Sequence, residues 1–132
     1  MNIKNIIKGL EVEKIYGSLE KDIKGISYDS RKVGSNYVFV AIEGFESDGH
    51  KYIDQAIEKG ATALVVTKDI KVDEENITVI KVKDTRDSLA RISSNFYGNP
   101  SEKMKLIGVT GTNGKTSITY LVKSILEKAN MK

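Results

Sequence analysis

Leu106-Ile107-Gly108-Val109-Thr110-Gly111-Thr112-Asn113-Gly114-Lys115-Thr116-Ser117 is the stretch from which the rest of the chain is read. The apolar segment Met104 to Val109 predicts a strand. It runs into a glycine-bearing turn, and the turn opens a helix whose first residues are Lys115, Thr116 and Ser117. Strand, glycine loop and Lys-Thr at a helix start form a phosphate cradle. Glycines let the backbone curl until several N–H groups point inward, and the helix N-terminus adds partial positive charge. Lys115 has the reach to meet terminal phosphates, and the Thr116 hydroxyl suits a magnesium position. The loop is a variant of the common pattern, because Val109 stands where a first glycine is usual. Gly111 and Gly114 supply the freedom.

The totals restrict the remaining possibilities. A chain of 132 residues has room for one domain with a substantial core. Its 39% hydrophobic and 30% charged residues are those of a globular protein. No apolar run approaches the length that spans a bilayer, so membrane insertion is not expected. Met1 to Ile6 lacks an apolar signal segment, so no secretory leader is expected. With no cysteine there is no disulfide and no thiolate metal site. The net charge of +3 is mild, and the lysines alternate with acids, so no nucleic-acid footprint is expected.

Upstream of the loop the pattern is that of an α/β domain. Ile3, Ile6, Ile7 and Leu10 recur at helical spacing behind the N-cap candidate Asn2. Short strands are predicted at Ile15–Gly17 and Ile23–Tyr28. The polar loop Tyr28-Asp29-Ser30-Arg31 offers acceptors, a hydroxyl and a guanidinium fork. It suits a polar heterocycle or a phosphate, although physical chemistry alone favours an Asx or Ser turn with a surface arginine. Tyr37–Ile42 predicts a strand buried on both faces. Glu43 to His50 is a loop folding back on itself. His50 reads first as a capping or loop-bonding histidine and second as a base, and no His/Asp/Glu spacing marks a metal site. Tyr52, Ile53, Ala56 and Ile57 form one apolar helical face that stops at Gly60. Strands follow at Ala61–Thr67 and Ile77–Val82, so Tyr37 to Val66 reads as a βαβ unit. Asp84 starts a helix with the buried stripe Leu89, Ile92 and Phe96, and Tyr97-Gly98-Asn99-Pro100 ends it. Beyond the loop, Ile118, Leu121, Val122, Ile125, Leu126 and Ala129 give a wide apolar helix face that should cover a sheet. Only one strand is available after Pro100, so the second sheet reads as cut off.

These residues carry a family resemblance. Thr110 to Thr116 resembles the ATP loop of the Mur ligases and of their folylpolyglutamate synthetase relatives, and Thr116 speaks against the folate enzymes, which usually carry Gly there. Tyr28-Asp29-Ser30-Arg31, Val38 to Gly44, Asp48 to Ile53 and Gly60-Ala61 resemble the N-terminal domain of the two late ligases. Asn95 to Ser101, leading into Leu106–Thr110, is similar to the tripeptide-synthetase branch and unlike the D-alanyl-D-alanine-adding branch. The likeness spans nearly the whole chain but only the first quarter to third of such an enzyme.

The resemblance implies a fold, a reaction and a set of contacts. The fold is α/β: a small mixed-sheet N-terminal domain over residues 1–99, followed over 100–132 by the first strand–P-loop–helix of a truncated parallel-sheet ATP-binding domain. The reaction is that of a cytoplasmic ATP-dependent ligase of peptidoglycan synthesis. ATP phosphorylates UDP-N-acetylmuramoyl-L-alanyl-D-glutamate, and the amine of meso-diaminopimelate or L-lysine displaces phosphate from the acyl phosphate. Gly111, Thr112, Asn113, Gly114, Lys115, Thr116 and Ser117 match the ATP loop, with Thr116 on Mg2+. Tyr28 and Ser30 match contacts to the UDP end of the substrate, and Phe45, Glu46 and Ser47 match the loop closing over uridine. Arg31 and His50 match the pattern without an assigned role, and no catalytic residue is assigned. The fragment alone is expected to be inactive and to bind ATP poorly. The competing expectations are the D-alanyl-D-alanine-adding type and a freestanding nucleotide-binding module.

Overall fold

In the computed structural model, which describes residues 1–44, 47–72 and 75–130, the chain divides into two compact units, Met1–Pro100 and Ser101–Lys132. The first is built on five strands: β1 (Val12–Tyr16), β2 (Gly25–Ser27), β3 (Tyr37–Val40), β4 (Ala61–Val66) and β5 (Thr78–Val82). Their order across the sheet is β1-β5-β4-β3-β2. β2 to β5 are mutually parallel, and β1 is added antiparallel along β5, pairing Val12 with Val82 and Tyr16 with Val79. The sheet is therefore mixed.

Continuous apolar strands need cover on both faces. Val38 and Val40 point to one face, with Ala63, Val65, Ile80 and Val82; there they meet Ile3 and Ile6 of α1 (Ile3–Ile6) and Ile92 of α3 (Thr85–Phe96). Phe39, Ala41, Leu64, Val66 and Val79 point to the other, against Ile53 and Ala56 of α2 (Ile53–Glu58). Lys14 and Lys81, paired on the edge strand and its neighbour, keep that margin polar.

The local signals act where expected. Asn2 Oδ1 accepts from the Lys4 amide, and Asp84 Oδ1 accepts from the amides of Arg86 and Asp87. The segment β3–α2–β4 is the anticipated βαβ unit, with β3 and β4 parallel. α1 is a single turn, so Leu10 packs against the core from outside it. β1 begins three residues before the predicted Ile15, because its partner β5 extends the ladder to Val12. β2 keeps only Gly25–Ser27 of its predicted span.

In the second unit, α4 (Lys115–Lys128) forms as predicted. Met104–Val109 does not form the predicted strand. A strand exists through bonds to a neighbour, and among the described residues no ladder reaches this segment. The side chains of Lys105, Ile107 and Val109, at period two, share a groove of about 450 Å³ with Thr119, Val122 and Leu126 of α4. The apolar face of α4 stays open: Ile118, Leu121 and Ile125 are 45–66% exposed.

Candidate functional site

Parallel strands deliver their C-terminal ends to one edge of a sheet, where ligands of open α/β folds collect. Here β2, β3, β4 and β5 send their following loops to that edge.

The loop after β2 is wound tightly by short side chains. Ser27 Oγ accepts from the Asp29 amide at 3.1 Å and donates to the Asp29 carbonyl at 2.8 Å. Asp29 then caps a 3-10 turn, Ser30–Lys32, by accepting from the Arg31 amide. The Arg31 fork closes on the same carboxylate, Nε to Oδ1 and Nη2 to Oδ2, both at 2.9 Å. The guanidinium and the Arg31 amide hold the Asp29 carboxyl down at about 2. The expected Asx turn is thus present, and it forms one wall of a groove. The turn presents Tyr28, Asp29, Ser30 and Arg31 to a groove of about 540 Å³ that Tyr52 and Gln55 complete. Ser30 is buried, and its hydroxyl donates to Gln55 Oε1 at 2.5 Å.

A second cavity of about 480 Å³ shares Tyr28 and Tyr52 and adds Ile42, Gly44, Ser47 and Arg86. Tyr52, expected on an apolar helix face, is 45% exposed and stands in both cavity walls. The reason is local: Gly49–Tyr52 is a 3-10 turn preceding α2, so Tyr52 is out of phase with the buried Ile53 and Ala56. Its Oη lies 3.3 Å from Ser47 Oγ. Of the residues expected at the UDP end, Tyr28, Ser30 and Ser47 are therefore brought to this edge. Phe45 and Glu46 lie outside the described residues. Tyr52, Gln55 and Arg86 were not anticipated. For the two α2-side residues no local pattern distinguishes a groove wall from a solvated helix face.

The loop after β3 is fastened by a polar network. Gly49 donates its amide to the Ile42 carbonyl at 2.8 Å. A Cβ on Gly49 would lie 2.7 Å from the Ile42 nitrogen, so only glycine fits this approach. Asp48 Oδ1 accepts from the His50 amide at 3.0 Å and meets His50 Nδ1 at 2.7 Å. His50 Nε2 accepts from the Thr67 amide at 3.1 Å, which places the ring proton on Nδ1. His50 is thus a loop-bonding histidine. The Lys68 ammonium lies 2.6 Å from both Glu43 Oε1 and Asp48 Oδ2. Lys68, then His50, hold the Asp48 carboxyl well below the usual carboxylate range. Sequence spacing did not mark Glu43, Asp48 and His50 as neighbours, yet their ligand atoms fall within 4.8 Å of one another. The cationic place in that cluster is filled by Lys68, and the histidine lone pair by the Thr67 amide.

In the second unit, Gly114 takes φ 73° at the N-cap of α4, a left-handed conformation that costs glycine nothing. Among the described residues no hydrogen bond engages the amides of Thr112 to Ser117. The loop is exposed from Thr110 to Ser117, and the Lys115 ammonium folds back onto the Gly111 carbonyl. Gly111 to Ser117 are thereby placed in one exposed loop and helix start.

Fold and loops together define an α/β protein with a groove at the carboxyl edge of its sheet and, in a separate unit, a glycine-bearing turn that opens a helix. The chain belongs to the Mur ligase family: the model described as "Mur ligase family, catalytic domain" matches residues 22–97. Named relatives are similar along the whole chain. The UDP-N-acetylmuramoyl-L-alanyl-D-glutamate--2,6-diaminopimelate ligase of Clostridium perfringens is 51% identical over 98% of this chain, and that of Clostridioides difficile is 52% identical over 96%. The chain spans about a quarter of those relatives, 26% in each case. Among solved structures, MurF of Acinetobacter baumannii aligns with a TM-score of 0.74 at 25% identity, covering 97% of this chain and 28% of that one. MurF of Thermotoga maritima, in complex with ADP, aligns with a TM-score of 0.58 at 30% identity over 80% of this chain and 23% of that one. Sequence identity is thus 51–52% to these diaminopimelate ligases against 25–30% to the MurF structures.

Proposed function

We infer that this chain is the N-terminal part of an ATP-dependent ligase that adds meso-diaminopimelate to UDP-N-acetylmuramoyl-L-alanyl-D-glutamate in the cytoplasm. L-lysine is the alternative amino acid. One observation carries the reading: identity near 50% to diaminopimelate ligases extends over 96% or more of the chain. Residues 1–99 serve as the UDP-sugar-binding domain, and residues 100–132 begin the ATP-binding domain. Tyr28, Ser30 and Ser47, with Phe45 and Glu46, hold the UDP end of the substrate.

The turn fits ATP by its donor set: the amides of Thr112 to Ser117, which no hydrogen bond engages among the described residues, and the Lys115 ammonium suit phosphate oxygens. The Thr116 hydroxyl suits Mg2+, which would screen charge between the two anions that must meet. The reaction converts a carboxylate into an acyl phosphate with a good leaving group, which the incoming amine displaces. This chain's own share is to bind and orient the two anionic partners.

An NMR titration with UDP tests the reading. Amides of Tyr28, Ser30, Ser47 and Tyr52 should shift; no shift at millimolar UDP would overturn it.

A further inference from the structure

Gln55 is not among the residues expected to meet the substrate, yet it controls what Ser30 can offer. A serine hydroxyl has one proton and two lone pairs. The Ser30 proton is committed to Gln55 Oε1 at 2.5 Å. Ser30 is only 6% exposed, so its hydroxyl has little freedom to exchange that partner for water. What remains for the groove is an acceptor. Beside it, Arg31 spends Nε and one Nη2 proton on Asp29 and keeps its other N–H groups, on a side chain 80% exposed. The Asp29 oxygens are taken by the same fork and by the Arg31 amide. The groove therefore offers an acceptor next to donors, and Tyr28 and Tyr52 line it with them.

We propose that Gln55 is a positioning residue that makes Ser30 a hydrogen-bond acceptor, and that the Ser30–Gln55 pair selects a pyrimidine with an imide edge, uracil, over one with a 4-amino edge, cytosine. The inference rests on the reading of this groove as the UDP end of the site. Uracil shows carbonyl, N3–H, carbonyl, and its ring N–H can donate to Ser30 Oγ. Cytosine shows an unprotonated N3 there, and two acceptors then face each other. Rejection by an unpaired polar group is a stronger discriminator than a lost apolar contact.

The test is calorimetric or NMR titration of the chain with UDP and with CDP, in the wild type and in Gln55→Leu, Gln55→Glu and Ser30→Ala. The wild type should favour UDP by about tenfold, the worth of one mismatched hydrogen bond. Gln55→Leu frees the Ser30 hydroxyl to rotate and donate, so the preference should collapse towards unity while UDP still binds. Gln55→Glu supplies a partner that can only accept and should preserve the preference. Ser30→Ala should lower UDP affinity to that of CDP. A purely structural role for Gln55 would weaken both nucleotides equally and leave the ratio unchanged, which would overturn the proposal. Equal binding of UDP and CDP by the wild type, or a preference for CDP, would also overturn it while leaving the UDP reading intact. Absence of binding by either nucleotide would remove that reading and this inference with it.

Discussion

Lys68 lies between two carboxylates that the chain separates by five residues, and its ammonium is what lets Glu43 and Asp48 approach. The Asp48 carboxyl is depressed in the folded state, chiefly by Lys68 and then by the His50 amide. A carboxyl lowered on folding adds stability above its unfolded value of about 3.9, and that stability is lost as pH falls towards the folded value. Lys68→Met lets the folded value rise, so the contribution disappears at higher pH. The midpoint of acid unfolding, followed by circular dichroism, should therefore move upward in pH. Lys68→Arg should return most of the tolerance, because a guanidinium can span the same two oxygens. An unchanged midpoint in Lys68→Met would show that the network is not coupled to folding.

Among the elements, two helices of similar length differ in what they bury. α3 has a 12-residue span with Ile92 fully buried among Ile3, Ile6 and the sheet, and Asp84 caps its first turn. Truncation there leaves a cavity, so Ile92→Ala should cost about 2–5 kcal/mol in urea unfolding. α4 has 14 residues and buries none. Ile125→Ala, at a site 66% exposed, should therefore change stability by no more than about 0.5 kcal/mol in the same measurement. A large loss at Ile125 would mean that the face of α4 is covered in solution.

At the scale of the whole molecule the same contrast becomes one of protection. Amides protected by a buried ladder open only with global unfolding, whereas those of a helix with no packed face open locally. Hydrogen exchange should find the slowest amides in β3, β4 and β5, and fast exchange throughout α4. Mg-ATP should add little protection to Lys115–Ile118, because a cradle without neighbouring strands is not preorganised. Strong protection of α4 in the free chain would contradict this division.

Much of this was legible along the chain because it depends on near neighbours. Capping by Asn2 and Asp84, the β3–α2–β4 unit, the stop at Gly60 and the helix after Gly114 each depend on residues within a few positions. The pairing of Glu43 with Lys68, the turn of Tyr52 into the groove and the bond from Ser30 to Gln55 depend on residues brought together from across the fold. Met104–Val109 shows the same limit from the other side: apolar alternation gives a segment the capacity to be a strand, but a ladder needs a second backbone 4.8 Å or so away. Local pattern therefore dictated the caps and helix starts and gave each segment its capacity to be a strand. Which side chains face each other at the sheet edge was settled in three dimensions, since contact there is a matter of distance through space and not of spacing along the chain.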